Sequence, residues 1–184
     1  MLYYFNKYIS LFPILKESIV SKQPALEQGD WIVHTYYGIG QITNLVTRTI
    51  GEEKAKYYRV DARNSTFYIP VDNPINDRIR PLSSEYKLRK AKKILRSEPE
   101  ELPKNHNDRR KYISEFSGNS EMDISAQILR DLHHRKQEHG LNDYEQRVLN
   151  STEKMFIREW AIIQDISEDL AQEKLDQIYG EVIA

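Results

Sequence analysis

Between residues 29 and 82 the apolar positions come in short runs separated by turn residues. Gly38 and Gly40 stand where a sharp bend or bulge is needed before the second run. Strands joined at intervals of about 8 to 12 residues indicate a small antiparallel barrel, which the last run is expected to close. The runs are Trp31 to Val33, Gln41 to Thr49, Lys56 to Val60, Thr66 to Pro70 and Ile79 to Leu82.

After Leu82 the apolar period changes from two to about 3.6 residues, which predicts helices. Ser83 or Ser84 can cap the first helix, and Pro99 and Pro103 end it because they cannot sit inside a regular helix. A short helix is predicted next, over about residues 108–116. The apolar side of the first helix comprises Tyr86, Leu88, Ala91, Ile94 and Leu95, so its many Lys and Arg side chains face outward.

Cap signals place the later helices. Gly140 ends a helix, and Asn142 followed by Glu145 resembles a capping box that begins the next one. Ser167 caps the last helix. The pattern as a whole predicts an α+β fold, in which a small antiparallel β-barrel over residues 27–82 precedes an all-α domain over residues 83–184. The apolar positions of the three helices are Ile124, Ile128, Leu129 and Leu132, then Tyr144, Val148, Thr152, Met155, Phe156 and Ile163, then Leu170, Leu175 and Ile178.

Residues 1–26 contain the longest apolar stretch, but polar residues and Pro13 interrupt it. A membrane span needs about 20 predominantly apolar residues. A signal peptide needs an unbroken apolar block followed by a small-residue cleavage site. We therefore interpret residues 1–26 as an extra arm or a short amphipathic helix, with docking on a partner or a membrane surface as the alternative, and we expect no membrane partner.

The charges of the chain are segregated along its length. The 184 residues carry a net charge of -1, which excludes a uniformly basic protein that coats nucleic acid. Residues 83–112 hold 10 basic and 5 acidic side chains, whereas residues 113–184 hold 7 and 15. Phosphate contacts are therefore expected between about Lys87 and Lys111, with a solvated helix face as the alternative. The absence of cysteine excludes a disulfide scaffold and favours the cytoplasm.

Candidate catalytic chemistry is sparse. A metal site would need several of the five histidines to converge with carboxylates, yet His134 and His139 lie about 140° apart around a helix. No glutamate stands at a zinc-type spacing from them, and no serine lies in a strained nucleophile turn. We therefore expect no enzyme, no cofactor, no metal and no small-molecule substrate.

Segments in both halves resemble one family. They are Gly29-Asp30-Trp31-Ile32-Val33, Gly38-Ile39-Gly40-Gln41-Ile42, Tyr57-Tyr58, Ile69-Pro70-Val71 and Ile79-Arg80-Pro81-Leu82 in the first half, and Ile128-Leu129-Arg130-Asp131-Leu132, Gly140-Leu141, Glu145 and Leu149 in the second. They resemble the CarD and CdnL family of bacterial transcription regulators, whose amino-terminal module is shared with the transcription-repair coupling factor. The resemblance covers about residues 27–180.

The resemblance implies two binding functions and no chemistry. A Tudor-like barrel would bind the beta subunit of RNA polymerase, and the helical domain would contact promoter DNA at the upstream edge of the melted bubble. Tighter binding to the open than to the closed complex would stabilise the open complex. The expected location is the cytoplasm, at the nucleoid through RNA polymerase. The acidic last 70 or so residues leave an alternative, namely an adaptor on RNA polymerase that never touches DNA.

The resemblance also implies contact residues for polymerase. Arg48 matches a polymerase-contacting arginine of the family, and Tyr68 stands where the family has a second basic residue. An edge strand over residues 66–70, including Ile69 and Pro70, would add to a polymerase strand by main-chain pairing. The alternative for Arg48 is an ordinary solvated strand arginine.

For DNA, Arg109, Lys111 and Arg135 match family positions at the phosphate backbone, and Arg147 lies beside another. Such contacts would position the domain without reading sequence. His106 falls where the family carries a tryptophan that wedges into the minor groove at the bubble edge. Because the histidine ring is smaller and more hydrated, we expect a weaker wedge, with a loop residue and no wedge as the alternative.

Overall fold

A computed structural model of the chain describes residues 26–50, 53–72, 74–76, 78–117 and 121–183, so the predicted arm lies almost entirely outside the described residues. Five strands precede five helices, which confirms the α+β class. None of the helices within the described ranges is long and apolar enough to cross a membrane. The elements are β1 Trp31–His34, β2 Gly38–Ile50, β3 Glu53–Ala62, β4 Ser65–Pro70, β5 Ile79–Pro81, α1 Glu85–Leu95, α2 His106–Ser117, α3 Met122–Glu138, α4 Asp143–Gln164 and α5 Glu168–Ile183.

The strands form one antiparallel sheet in the order β4-β3-β2-β1-β5. β4 and β5 are its two edges, and no ladder joins them within the described residues, so the predicted closure into a barrel is not formed. β5 has only three residues, which pair with β1, and such a short strand offers few main-chain groups for a second neighbour. The architecture is therefore an open sheet, in which β4 is an edge strand with no strand on its outer side among the described residues.

Gly38 and Gly40 are required for different reasons. Gly38 has a φ of +78°, a conformation that favours glycine, and it ends the turn from β1 into β2. At Gly40 an added Cβ would lie 2.7 Å from Cγ1 of Val60 on β3, so the close approach of the two strands excludes a side chain. The bulge predicted near these glycines lies slightly later, between Ile42 and Asn44.

Two separate hydrophobic clusters stabilise the fold. The sheet covers a small cluster that includes Leu26, Ile32 and Val60. A larger cluster draws buried side chains from all five helices. Tyr86 and Leu170, which the periodicity placed on apolar faces, are exposed instead, because each lies in the first turn of its helix beyond the reach of the cluster.

The helix ends follow the cap signals of the sequence. The Ser84 and Ser167 hydroxyl oxygens each accept a hydrogen bond from a backbone N–H of the first turn of α1 and α5. The capping box of Asn142 and Glu145 is complete, since each side chain accepts a hydrogen bond from the backbone N–H of the other. Gly140 has a φ of +72° just after α3. These local predictions are confirmed.

Candidate functional site

β4 carries most of the predicted polymerase-binding residues on a free sheet edge. The backbone N–H of Val71 donates to the carbonyl oxygen of Lys56, 3.1 Å away. Because hydrogen-bonded pairs alternate along an antiparallel ladder, the main-chain groups of Thr66 and Tyr68 point away from β3. The edge can therefore pair with a strand of another protein.

Arg48 and Tyr68 meet on the outer face of the sheet. Arg48 is exposed on β2, and its guanidinium carbon lies 4.1 Å from the centroid of the Tyr68 ring. Pro70 is also exposed and lacks an N–H, so it ends the row of free donors along β4. The structure thus brings a cation stacked on an aromatic ring next to a free strand edge.

Ile69 lies on the opposite side of β4 from these residues. Its side chain is fully buried in the sheet cluster, and its backbone pairs with Tyr58 of β3. Alternation along the strand places Ile69 inward while Tyr68 and Pro70 face outward. Ile69 therefore supports the edge from beneath, and the surface available to a partner consists of its neighbours.

α2 begins at His106, two residues before its predicted start. The Asn105 side-chain oxygen accepts hydrogen bonds from the backbone N–H groups of Asn107 and Asp108, at 2.8 and 3.3 Å. His106 is exposed at the first helical position, and its Nδ1 lies 3.5 Å from the side-chain oxygen of Asn107. The ring therefore stands at a helix start and not in a loop.

Arg109 is buried, with 5% of its surface exposed. Its Nε donates to Oε1 of Glu145 at 2.6 Å, and its Nη1 donates to the carbonyl oxygens of Pro103 and Lys104. Nε of Arg135 donates to the other oxygen of Glu145 at 3.3 Å. Two of the predicted phosphate contacts therefore share one buried carboxylate, which ties α2 and α3 to the start of α4.

Glu145 is ionised in this cluster. Burial alone would raise the pKa of Glu145, but hydrogen bonds from Arg109, the Asn142 backbone and Arg135 lower it below the ordinary value of 4.5. For Arg109 to contact a phosphate, its guanidinium would have to leave this buried carboxylate. The sequence identified Glu145 only as a cap and a family residue, because its partner Arg109 lies 36 positions away.

A neighbouring arginine that the sequence prediction missed, Arg110, is exposed. Its guanidinium carbon lies 5.1 Å from the centroid of the Tyr144 ring on α4. His106 precedes Arg110 by four positions and Arg147 follows Tyr144 by three, so each pair shares a helix face. We call His106, Arg110, Tyr144 and Arg147 the α2–α4 strip; all but the half-buried Tyr144 are exposed. Lys111 is exposed as well, about 100° around α2 from Arg110.

Much of the remaining basic block is paired with carboxylates. The pairs at α1 are Lys87 with Glu121, Arg89 with Glu85, Lys90 with Asp123 and, at the helix end, Arg96 with Glu181. Within the ranges that the structure describes, no carboxylate forms a salt bridge with Lys104, Arg110, Lys111 or Arg147. In residues 83–112 the exposed cations without a carboxylate in a salt bridge among the described residues are Lys93 on α1 and Lys104, Arg110 and Lys111 at α2, so most of the positive charge available to a polyanion there lies at α2.

The run Arg130-Asp131-Leu132, the most specific part of the family resemblance, has a structural role. Nε of Arg130 donates to Asp131 at 2.7 Å, and its Nη1 donates to the Ser97 hydroxyl at 2.8 Å. The same Asp131 oxygen accepts a hydrogen bond from the backbone N–H of Glu100. The run holds the proline-containing segment after α1 against α3.

His34 and His133 lie in different halves of the fold. The His34 ring lies 5.2 Å from the Phe67 ring in the sheet, and the His133 ring stacks 3.8 Å from the Tyr179 ring of α5. Burial is the main cause that lowers the pKa of both His34 and His133. Among the described residues, no three His, Asp or Glu side chains are grouped so that they could hold a metal ion.

Comparison with known proteins finds matches to two family models and to a curated relative. The family model described as "CarD-like/TRCF RID domain" matches residues 26–83, and the one described as "CarD, C-terminal domain" matches residues 90–176. The chain is 28% identical over 142 residues to the "Putative transcription factor YdeB" of Bacillus subtilis (strain 168). That match covers 76% of this chain and 93% of the relative.

Proposed function

Because the chain belongs to the CarD/CdnL family of bacterial transcription regulators, we propose that it bridges RNA polymerase and promoter DNA. In this proposal, residues 27–82 form the domain that binds the polymerase beta subunit through the β4 edge. Residues 83–184 form the domain that contacts DNA at the upstream edge of the bubble through the α2–α4 strip. Tighter binding to the open complex than to the closed one shifts the equilibrium toward the open state.

The proposal rests mainly on the different character of the surfaces on the two halves. A free strand edge favours main-chain pairing with another protein. Exposed cations without carboxylate partners among the described residues favour phosphates. The strip combines such cations with the rings of His106 and Tyr144, which resembles the aromatic and cationic lining of nucleic-acid sites.

The experiment that tests the polymerase contact is a titration of the full chain with the purified beta-subunit lobe. Arg48→Glu reverses the charge beside the β4 edge and removes the stack on Tyr68. We therefore expect its affinity for the lobe to be lower than that of wild type by about tenfold or more. Lys93→Glu reverses an exposed charge on α1 and serves as the control. Equal affinities for wild type and Arg48→Glu would refute the assignment of Arg48, and no binding by wild type would refute the polymerase contact.

The same titration separates main-chain pairing from side-chain contact. Tyr68→Pro removes an N–H that points away from β3, so it leaves the ladder to β3 intact while blocking one bond to an added strand. Tyr68→Ala removes the ring and keeps the N–H. We expect the proline variant to bind more weakly than the alanine variant. Equal binding by both variants would refute strand addition at this position.

A further inference from the structure

The two halves of the molecule are joined by a buried ion pair. Arg80 of β5 donates from Nη1 to Oε1 and from Nη2 to Oε2 of Glu159 on α4, both at 2.7 Å. The two side chains are 11% and 5% exposed. A bidentate contact between a guanidinium and a carboxylate has a defined geometry, because both hydrogen bonds lie in one plane.

The three residues between β5 and α1 are each held by a different element. The backbone N–H of Leu82 donates to the carbonyl oxygen of Trp31 in β1 at 3.2 Å. The backbone N–H of Ser83 donates to Glu159 of α4 at 2.9 Å, and Ser84 caps α1. Leu82 and Ser83 therefore add main-chain hydrogen bonds to the sheet and to α4 next to the ion pair.

Apolar side chains also lie on the sheet face that carries Arg80, since Val33, which pairs with Arg80, and Ile39 are both buried there. The hydrophobic clusters of the sheet and of the helices are separate. A cavity of about 260 Å³ lies beside the ion pair, between Thr35 and Tyr36 on the sheet side and Met155 and Phe156 on α4. Because hydrophobic contacts are non-directional, packing around such a cavity restricts orientation less than a buried bidentate pair does.

We propose that Arg80 and Glu159 are positioning residues that hold the β4 edge and the α2–α4 strip at one relative orientation. This role, which rests on the proposed function, follows from the thermodynamics of a bridging protein. When one surface is bound, the other meets its partner at an effective concentration set by the separation of the two surfaces. Without the ion pair both surfaces persist, but their separation varies and the second contact becomes rarer.

The test measures the distance between the two halves of the full chain. The chain contains no cysteine, so Asn44→Cys in β2 and Lys154→Cys in α4 provide two exposed sites for spin labels and pulsed EPR. We expect one narrow distance distribution for the otherwise wild-type chain. Replacing both Arg80 and Glu159 by Met, which leaves no buried charge without a partner, is expected to broaden it at least twofold.

Two further variants keep this measurement interpretable. Arg63→Gln breaks the Arg63–Glu168 pair, which also joins the sheet to the helices but is exposed. This variant is expected to keep the wild-type width of the distance distribution. Arg80→Lys keeps a cation beside Glu159 and loses the bidentate geometry, so it is the milder variant to use if the double replacement fails to fold, which thermal unfolding detects. A wild-type width in a folded variant of the buried pair would overturn the proposal whatever the function of the protein.

The functional part of the test compares partners separately and together. We expect the double variant to bind the polymerase lobe alone and fork-junction DNA alone within twofold of wild type. The lifetime of the open complex is expected to fall at least fivefold. A broad distribution with an unchanged lifetime would overturn the positioning role. If the wild-type chain does not lengthen the lifetime, the proposed function fails, and the distance measurement still decides whether the ion pair sets the orientation.

Discussion

α1 and the region of α2 share the basic block of the chain, but tertiary packing gives the cations of the two parts different surroundings. Of the α1 cations, Lys87, Arg89 and Lys90 pair with Glu121, Glu85 and Asp123, whereas Lys93 is exposed and has no carboxylate in a salt bridge among the described residues. At α2, Arg109 is buried against Glu145, while Arg110 and Lys111 are exposed and have no carboxylate in a salt bridge among the described residues. A run of positive charge in the sequence shows where cations are, whereas tertiary contacts decide which of them can meet a phosphate.

The largest effect is expected for protein stability. Arg109→Ala removes one partner of a buried ion pair, so we expect the free energy of unfolding to fall by about 3 kcal/mol. Arg89→Ala, which removes an exposed partner of Glu85 on α1, is expected to cost about 0.5 kcal/mol or less. Urea unfolding measures both. Equal losses would contradict the distinction between a structural arginine at α2 and solvated ones at α1.

DNA affinity is expected to depend more on the exposed cations at α2 than on the paired cations of α1. Replacing Lys104, Arg110 and Lys111 together by Ala is expected to weaken binding to fork-junction DNA and to flatten its salt dependence by about one log unit per lost phosphate contact. The matched control replaces Lys87, Arg89 and Lys90 of α1 by Ala, with a smaller change expected because these cations already have partners. A wild-type slope in the α2 variant would favour the adaptor that never touches DNA.

A smaller effect is expected at the exposed rings near the helix starts. If the His106 ring stacks at the bubble edge, His106→Trp should lengthen the lifetime of the open complex, on the scale of about 1 to 3 kcal/mol per stacked base, and His106→Ala should shorten it. Tyr86→Ala removes a ring that is 69% exposed near the start of α1 and is expected to change nothing. Identical lifetimes for His, Trp and Ala at position 106 would show that the protein acts without a wedge.

Acid titration is expected to give the smallest effect, a difference between the buried carboxylate of Glu145 and the half-exposed carboxylate of Glu121. The lowered pKa of Glu145 means that its ionised form stabilises the fold above about pH 4.5, and that this contribution is lost as the pH falls through the lower pKa of the folded state. The stability difference between wild type and Glu145→Gln should therefore shrink below pH 4.5 in urea unfolding. Glu121→Gln, at the half-exposed partner of Lys87 on α1, is expected to show a weaker trend. A pH-independent difference for Glu145 would contradict its ionised pairing.

Local features of the sequence predicted most of the fold. The α+β order, the helix starts at Ser84, Asn142 and Ser167, and the helix end near Gly140 are confirmed, because caps and periodicity act within a few residues. The start of α2 was predicted two residues late, since the cap formed by Asn105 was not recognised. Both edges of the sheet were identified as strands, but their failure to close a barrel depends on pairing across the whole sheet.

The candidate surfaces depended more on tertiary structure. The sequence placed Arg48 and Tyr68, which are 20 positions apart, on two different strands. Only folding stacks the Arg48 guanidinium on the Tyr68 ring. The sequence prediction gave Arg109 and Lys111 the same role at the phosphate backbone, although Arg109 is buried and Lys111 is exposed. Their positions along the helix do not reveal which of them has a carboxylate packed against it. The pairs Arg109–Glu145 and Arg80–Glu159 join residues 36 and 79 positions apart. A single sequence carries no local signal for such pairs, since their geometry arises only when separate elements pack.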